Sequence, residues 1–183
     1  MRNTPALTLL PEAEERGNYG GVLQTGGSGV LHPWYVTGLV EGEGSFVVSF
    51  NKRPKLRVGI ETRPSFSLSL SERDLDLLKA MQNFFQCGAI RYSRSDRTYK
   101  YEVRSVADLA RRIVPHFEKY PLAGAKGEDF RKFAEIVRWV HANHHLNPDY
   151  LRKIIELAYS MDPSGQRRYA KDDLLRLLGE MKG

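Results

Sequence analysis

Two carboxylates, Glu41 and Glu43, flank Gly42 at the end of a stretch, Trp34 to Gly42, that reads as a short helix beginning just after Pro33. An acid at a helix C-terminus meets the negative end of the macrodipole, a mildly unfavourable placement that needs an offset. A divalent cation would supply one, because carboxylate and backbone carbonyl oxygens are ligands that Mg²⁺ accepts, with phosphate and water completing its shell. The competing reading is two solvated surface acids. Gly38 and Gly42 stand four residues apart on the same helix. Glycine inside a helix costs roughly 0.5–1 kcal/mol relative to alanine. Two in register make a smooth strip that another backbone can approach closely. In a chain with one such helix, the natural partner is the same helix of a second copy about a twofold axis. A glycine-rich turn, or packing of the helix on its own sheet, accounts for the pair equally well.

The second chemical signal is cationic. Residues 47–63 hold Lys52, Arg53, Lys55, Arg57 and Arg63 against Glu61 alone. Such charges suit phosphates, and the short Ser and Asn side chains among them can reach base edges in a major groove. A solvated sheet face, common in antiparallel sheets, is the alternative.

The elements that must position these groups follow from periodicity. Ser45 to Lys52 alternates, with Phe46, Val48 and Phe50 on one face and Val47, Ser49 and Asn51 on the other. After a basic turn, a second strand ends with Phe66, Leu68 and Leu70 inward and Ser65, Ser67 and Ser69 outward. Ser71 to Asp74 resembles a capping box, and Leu75, Leu77, Leu78, Met81, Phe84 and Phe85 form a helical stripe that Gly88 should end. Ala89 to Arg94 and Thr98 to Arg104 form a second strand pair. Val106 to Tyr120 is predicted helical, as are Glu128 to Asn143, Tyr150 to Met161 behind an Asn147 cap and Pro148, and Ala170 to about Met181. The order is αββαββα plus C-terminal helices. It predicts an α+β fold, one four-stranded antiparallel sheet with helices on one face and the other face free. Outward positions on that face are Val47, Ser49 and Asn51, then Arg53 at the turn. They continue with Arg57 near the second strand's start, Glu61, Arg63, Ser65 and Ser67, then Ala89, Arg91 and Ser93, and finally Lys100, Glu102 and Arg104.

The remaining chain sets bounds. At 183 residues with 41% hydrophobic and 27% charged residues, it suits one globular domain. No apolar run approaches a membrane span, so no membrane partner is expected. The net charge of +6 permits a polyanionic partner. A single cysteine, Cys87, points to a reducing compartment, and the acidic N-terminus lacks a signal layout. The expected location is cytoplasm or nucleoid, or an organelle of a host cell, without secretion. Residues 1–33, rich in Gly and Pro, read as a flexible extension ahead of a domain over 34–183. Gly26-Gly27-Ser28-Gly29 lacks the Lys-Ser/Thr of a phosphate loop and reads as linker. His141 and His145 have helical ligand spacing but lack cysteine or third-ligand company, so His141, His144 and His145 read as surface or capping groups. Trp34 and Trp139 are assigned to core or interface, and Arg167, Arg168 and Lys171 either touch DNA flanks or are simply solvated.

Val36-Thr37-Gly38-Leu39-Val40-Glu41-Gly42-Glu43-Gly44, then Ser45-Phe46, resembles the LAGLIDADG motif of homing endonucleases. Pro64 to Leu70, Asp74, Leu77-Leu78, Phe84-Phe85 and Gly88-Ala89-Ile90 resemble that family's strand–helix–strand layout, and Pro121-Leu122, Lys126 and Asp129-Phe130 its later helix junction. The resemblance covers Trp34 to at least Phe133. It implies that Glu43 binds a catalytic Mg²⁺, with Mn²⁺ a possible substitute, beside the carbonyl of Gly42. It implies that Lys126 lies near the cleaved phosphate, and that Thr37, Gly38, Glu41 and Gly42 line the meeting of two motif helices. Both motif acids are Glu where Asp is commoner, and Leu70 stands where some members carry a polar group. Only one motif is found, and single-motif members resemble homodimers.

The implied function is site-specific cleavage of double-stranded DNA by a homodimer. A strand of about eight residues matches about eight base-pair steps, so two sheets and a central segment imply a near-palindromic target of roughly 18–22 base pairs. Cutting across the minor groove implies staggered 3′ overhangs. A non-catalytic DNA-binding regulator, an RNA maturase on the same fold, and a domain docking an acidic protein remain the alternatives.

Overall fold

The structure is a computed structural model that describes residues 31–162 and 166–180. The extension before residue 31, with its Gly26 to Gly29 run, and the last turn expected at Met181 lie outside the described residues. Helix α1 is Pro33–Glu43 and runs straight into strand β1, Gly44–Lys52. The helix thus starts at Pro33 itself, where a missing N–H costs nothing, and it holds Glu43 as its last residue. Strand β2 is Ile60–Ser71, helix α2 Leu75–Phe85, strand β3 Ala89–Ser93 and strand β4 Thr98–Val103. Then come α3 (Val106–Asp108), a turn widened to π geometry (Leu109–Ile113), α4 (Val114–Lys119), α5 (Gly124–His141), α6 (Pro148–Tyr159) and α7 (Lys171–Glu180). No described helix is long and apolar enough to cross a membrane.

The four strands form one antiparallel sheet in the order β1-β2-β4-β3. The fold is therefore the α+β architecture expected, with helices covering one face. Phe66, Leu68, Tyr101 and Val103 are buried beneath Leu78, Met81, Phe117 and Phe133. Phe46 ties the layers together, with ring centroids 5.3 Å from Phe66, 5.5 Å from Phe117 and 5.2 Å from both Phe130 and Phe133. The fully buried Phe66, Phe117 and Phe133 each contribute about 1.5–3 kcal/mol, and the half-buried Phe46 contributes less.

Four local expectations need correction. Ser71 does cap, accepting from the Arg73 N–H at 3.4 Å, but it opens a 3₁₀ turn, Glu72–Asp74, and α2 starts only at Leu75. That helix is closed by left-handed Gln86, not Gly88. Gly88 is required for another reason: its φ is +79° and a Cβ would stand 2.6 Å from Cε2 of Tyr101. Predicted helix 106–120 is interrupted by the π turn. Helix α5 begins at Gly124, ahead of the expected Glu128, which carries Lys126 into its first turn. The Asn147 cap stands as read, its side chain accepting from Asp149 and Tyr150 N–H groups.

Candidate active site and nucleic-acid interface

The C-terminus of α1 and the start of α5 cap one another. The Lys126 ammonium donates to the carbonyls of Val40 at 3.0 Å and Glu41 at 2.7 Å. The Glu41 carboxylate reaches the other way and accepts from the Ala123 N–H at 2.9 Å. A cation thus sits at the negative end of α1, and an anion at the positive end of α5. The offset that Glu41 needs comes from the protein's own backbone, so this acid is already engaged. Glu43 differs. Its side chain is exposed and takes no hydrogen bond or ion pair from the described residues.

This decides what a metal could use. Among the described residues no three His, Cys, Asp or Glu side chains gather as a metal cluster. One chain offers the free Glu43 carboxylate and the carbonyl of Gly42 in the last turn of α1, where helix carbonyls lack intrahelical partners. Mg²⁺ keeps several waters and is commonly held by one or two carboxylates plus substrate phosphate, so this sparse oxygen set fits it. His144 instead packs on Tyr150, ring centroids 4.6 Å apart, and belongs to no metal cluster.

The exposed strip of α1 carries Gly38 and Gly42, and a Cβ built on either would meet nothing within 4 Å. Trp34, 52% exposed, stands at the same helix's start with its ring edge-on to Tyr120. Thr37 does not share the strip. It is buried, and its hydroxyl donates to the Tyr120 carbonyl at 3.0 Å and lies 3.5 Å from His116 Nε2. One position along a helix turns a side chain about 100°, which here takes Thr37 into the protein's own core and leaves Gly38 and Gly42 as the open positions of the expected helix meeting. Glu41 lies beside the strip, tied to Ala123.

Register places the predicted reading positions on one face. Val47 pairs with Ser65, Ser49 with Arg63 and Asn51 with Glu61; Ser67 pairs with Glu102, Ala89 with Glu102 and Arg91 with Lys100; Ser93 pairs with Thr98. Directly opposed residues share a face, so Ser45, Ser69 and Thr98 join them. Arg57 does not stand on β2; it lies in the turn between β1 and β2 that the Gly59 carbonyl closes by accepting from the Arg53 N–H at 2.8 Å. Ser67, at the sheet centre, is buried beside Glu102.

Both acids on this face are bracketed by cations. Glu61 binds Arg53 and Arg63, each at 3.1 Å. Burial pulls its carboxyl upward, but the Arg53 hydrogen bond and the charges of Arg63 and Arg53 outweigh that and hold it below the usual range. Glu102 lies 3.6 Å from Lys100 and 2.9 Å from Arg104. The C-terminal segment completes the rim: Lys52 stands over the Tyr169 ring, 5.1 Å from its centroid. Sequence reasoning left this rim undecided, because β1 and Arg168 are 117 residues apart in the contact they make.

A family model described as LAGLIDADG endonuclease matches residues 36–137. The chain is similar to "Probable intron-encoded endonuclease 2" of Neurospora crassa, 35% identical over 133 residues, which covers 72% of this chain and 29% of that protein. It spans less than a third of that relative's length. Among solved structures, the homing endonuclease I-TnaI is similar at TM-score 0.71 and 33% identity, covering 82% of this chain and 98% of that one. I-SmaMI bound to cleaved DNA is similar at TM-score 0.73 and 30% identity, covering 82% of this chain and 49% of that one.

Proposed function

The chain belongs to the LAGLIDADG endonuclease family, and on that premise we propose that it cuts both strands of a long DNA target as a homodimer. The observation that carries this is the division of labour at the motif. Glu41 is spent on α5, while Glu43 stands exposed and unpaired at the junction of α1 with the first strand of a basic sheet face. The open Gly38/Gly42 strip supports a second copy of α1 packing there. So does the match to nearly all of one solved structure and about half of another.

Glu43 and the Gly42 carbonyl would hold Mg²⁺, or Mn²⁺ in its place. The bound cation would neutralise charge developing on the scissile phosphate and make a nucleophile available at neutral pH. The rest falls to side chains. Lys126 fixes the end of α1 and so orients Glu43, and its ammonium adds positive charge where the phosphate arrives. Arg53, Arg57, Arg63, Arg91 and Lys100 meet phosphates and guanine edges, while Ser49, Asn51, Ser65 and Ser93 read bases. Val47 gives apolar contact to a thymine methyl. Ser67, Glu61 and Glu102 set the face's charge and spacing.

Two Glu43 residues near a twofold axis fit phosphates facing across a minor groove about 6 Å wide, which implies staggered 3′ ends. Strand β1, nine residues long, spans about 30 Å or about nine base-pair steps. The target is then near-palindromic and roughly 18–22 base pairs long. The test is Glu43→Gln on a target selected from a randomised duplex library. Binding should persist while Mg²⁺-dependent cutting falls at least about 100-fold, the scale of losing a main charge-stabilising group. Cutting by Glu43→Gln at the wild-type rate, or wild-type cutting undiminished in EDTA, would sink the assignment. Binding without any cutting by the wild-type protein would favour the regulator reading.

A further inference from the structure

The segment after α6 is anchored by an inward arginine. Arg167 donates to the carbonyls of Val48 at 3.3 Å, Ala158 at 2.5 Å and Met161 at 3.1 Å, and its guanidinium lies 4.5 Å from the Tyr159 ring centroid. With Arg167 pinned, the next residue points to the open face. Arg168 donates from Nη1 to Oδ1 of Asn51 at 3.4 Å and flanks the Tyr169 ring, which Lys52 flanks as well.

An arginine has five donors and no acceptor, so the Asn51 atom it meets must be the carbonyl oxygen. The amide nitrogen is then turned away from Arg168, along a face where Asn51 stands in register with Glu61. We propose that Arg168 is a positioning residue that fixes the Asn51 amide, so that this side chain presents a donor to the DNA. The proposal rests on the reading of this sheet face as the DNA-binding surface, and it goes beyond it by saying what one position can recognise. In the major groove, guanine, adenine and thymine each offer an acceptor, at O6, N7 or O4, whereas cytosine offers only its N4 amino donor. A fixed donor at Asn51 that meets the base of one strand therefore rejects cytosine on that strand, once in each half-site. Without Arg168 the amide can turn over, and its oxygen can accept from cytosine.

The experiment selects bound duplexes from a randomised library with the full chain and the variants Asn51→Ala, Arg168→Ala and Arg168→Lys, each checked by thermal melting. Asn51→Ala should flatten one position per half-site and so locate the step. There the wild type should disfavour cytosine by about fivefold or more, the smallest loss expected of a mispaired base edge, and Arg168→Ala should bring cytosine within about twofold of the other bases. Arg168→Lys still donates and should keep the rejection, which a merely structural role for Arg168 would not predict if both variants melt alike. If Asn51→Ala flattens a position and Arg168→Ala leaves cytosine excluded there, the proposal is overturned and the DNA-face reading stands. If no variant changes any position, or the protein binds no duplex, both are overturned.

Discussion

Gly38→Ala separates two readings of the glycine strip, because they predict effects of opposite sign. In a single copy a Cβ at Gly38 meets nothing within 4 Å, so the methyl clashes with nothing and only intrinsic helix propensity changes. That should stabilise the protomer by about 0.5–1 kcal/mol, or roughly 1–4 °C in melting temperature at this chain size. In a helix pair the same methyl lands on the partner's backbone, and the twofold axis makes every intrusion count twice. Overpacking costs about 1–3 kcal/mol per site, so the dimer should weaken by about 2–6 kcal/mol, roughly 30-fold to 10⁴-fold in Kd. Sedimentation equilibrium over a wide concentration range reads the Kd. Melts at concentrations below it read the protomer, free of mass-action stabilisation. An unchanged dimer Kd alongside a raised melting temperature would refute the helix-pair interface. A lowered protomer melting temperature would refute the open strip itself.

Three further outcomes follow from the same geometry. Lys126→Met removes a charge-assisted tie to two carbonyls at the end of α1 and should cost about 1–3 kcal/mol in urea denaturation. Lys126→Arg, if its fork reaches either carbonyl, should recover part of that loss. Glu61→Gln releases Arg53 and Arg63 from their shared carboxylate. Affinity for random duplex should rise, and the slope of log K against log salt should steepen by about one phosphate contact; an unchanged slope would mean the arginines do not reach DNA. His116 is held by burial at about 4, below its ordinary 6.5. The unfolded chain takes up a proton between those values and the folded chain does not, so stability should fall as pH drops from 6.5 toward 4. His116 lies among Phe84, Phe85, Phe117 and Tyr120, and His116→Phe should flatten that pH dependence in denaturation measured at several pH values.

The sheet face could be read from alternation because a strand's period of two leaves no choice once one face is apolar. Phe46, Val48 and Phe50 against Val47, Ser49 and Asn51 therefore settled both faces of β1, and pairing carried the assignment across to β3. Helix α1 was harder: Gly38 and Gly42 marked an open strip, but nothing local said that Thr37 turns inward to the Tyr120 carbonyl. The π turn was invisible because Leu109, Ile113 and Phe117, four apart, suit an ordinary helix and a widened one alike. The reach of Lys126 and Glu41 across 85 and 82 residues, and that of Arg167 across 119 to β1, are tertiary contacts that no window of sequence contains. Arg57 was misplaced because a basic turn and the start of a strand share the same composition.

The absence of any loop between α1 and β1 has an engineering consequence. Glu43 closes the helix, Gly44 opens the strand, and a Cβ at Gly44 would stand 2.4 Å from Cγ1 of Val40. On the proposed reading, recognition along β1 and cutting at Glu43 are therefore not separable modules near this joint, because both would rest on one stiff length of backbone. Retargeting at the far end of β1, around Asn51, should leave the cutting rate alone. Retargeting at Ser45 or Val47 should strain the joint, and altered cutting should accompany every altered base preference there.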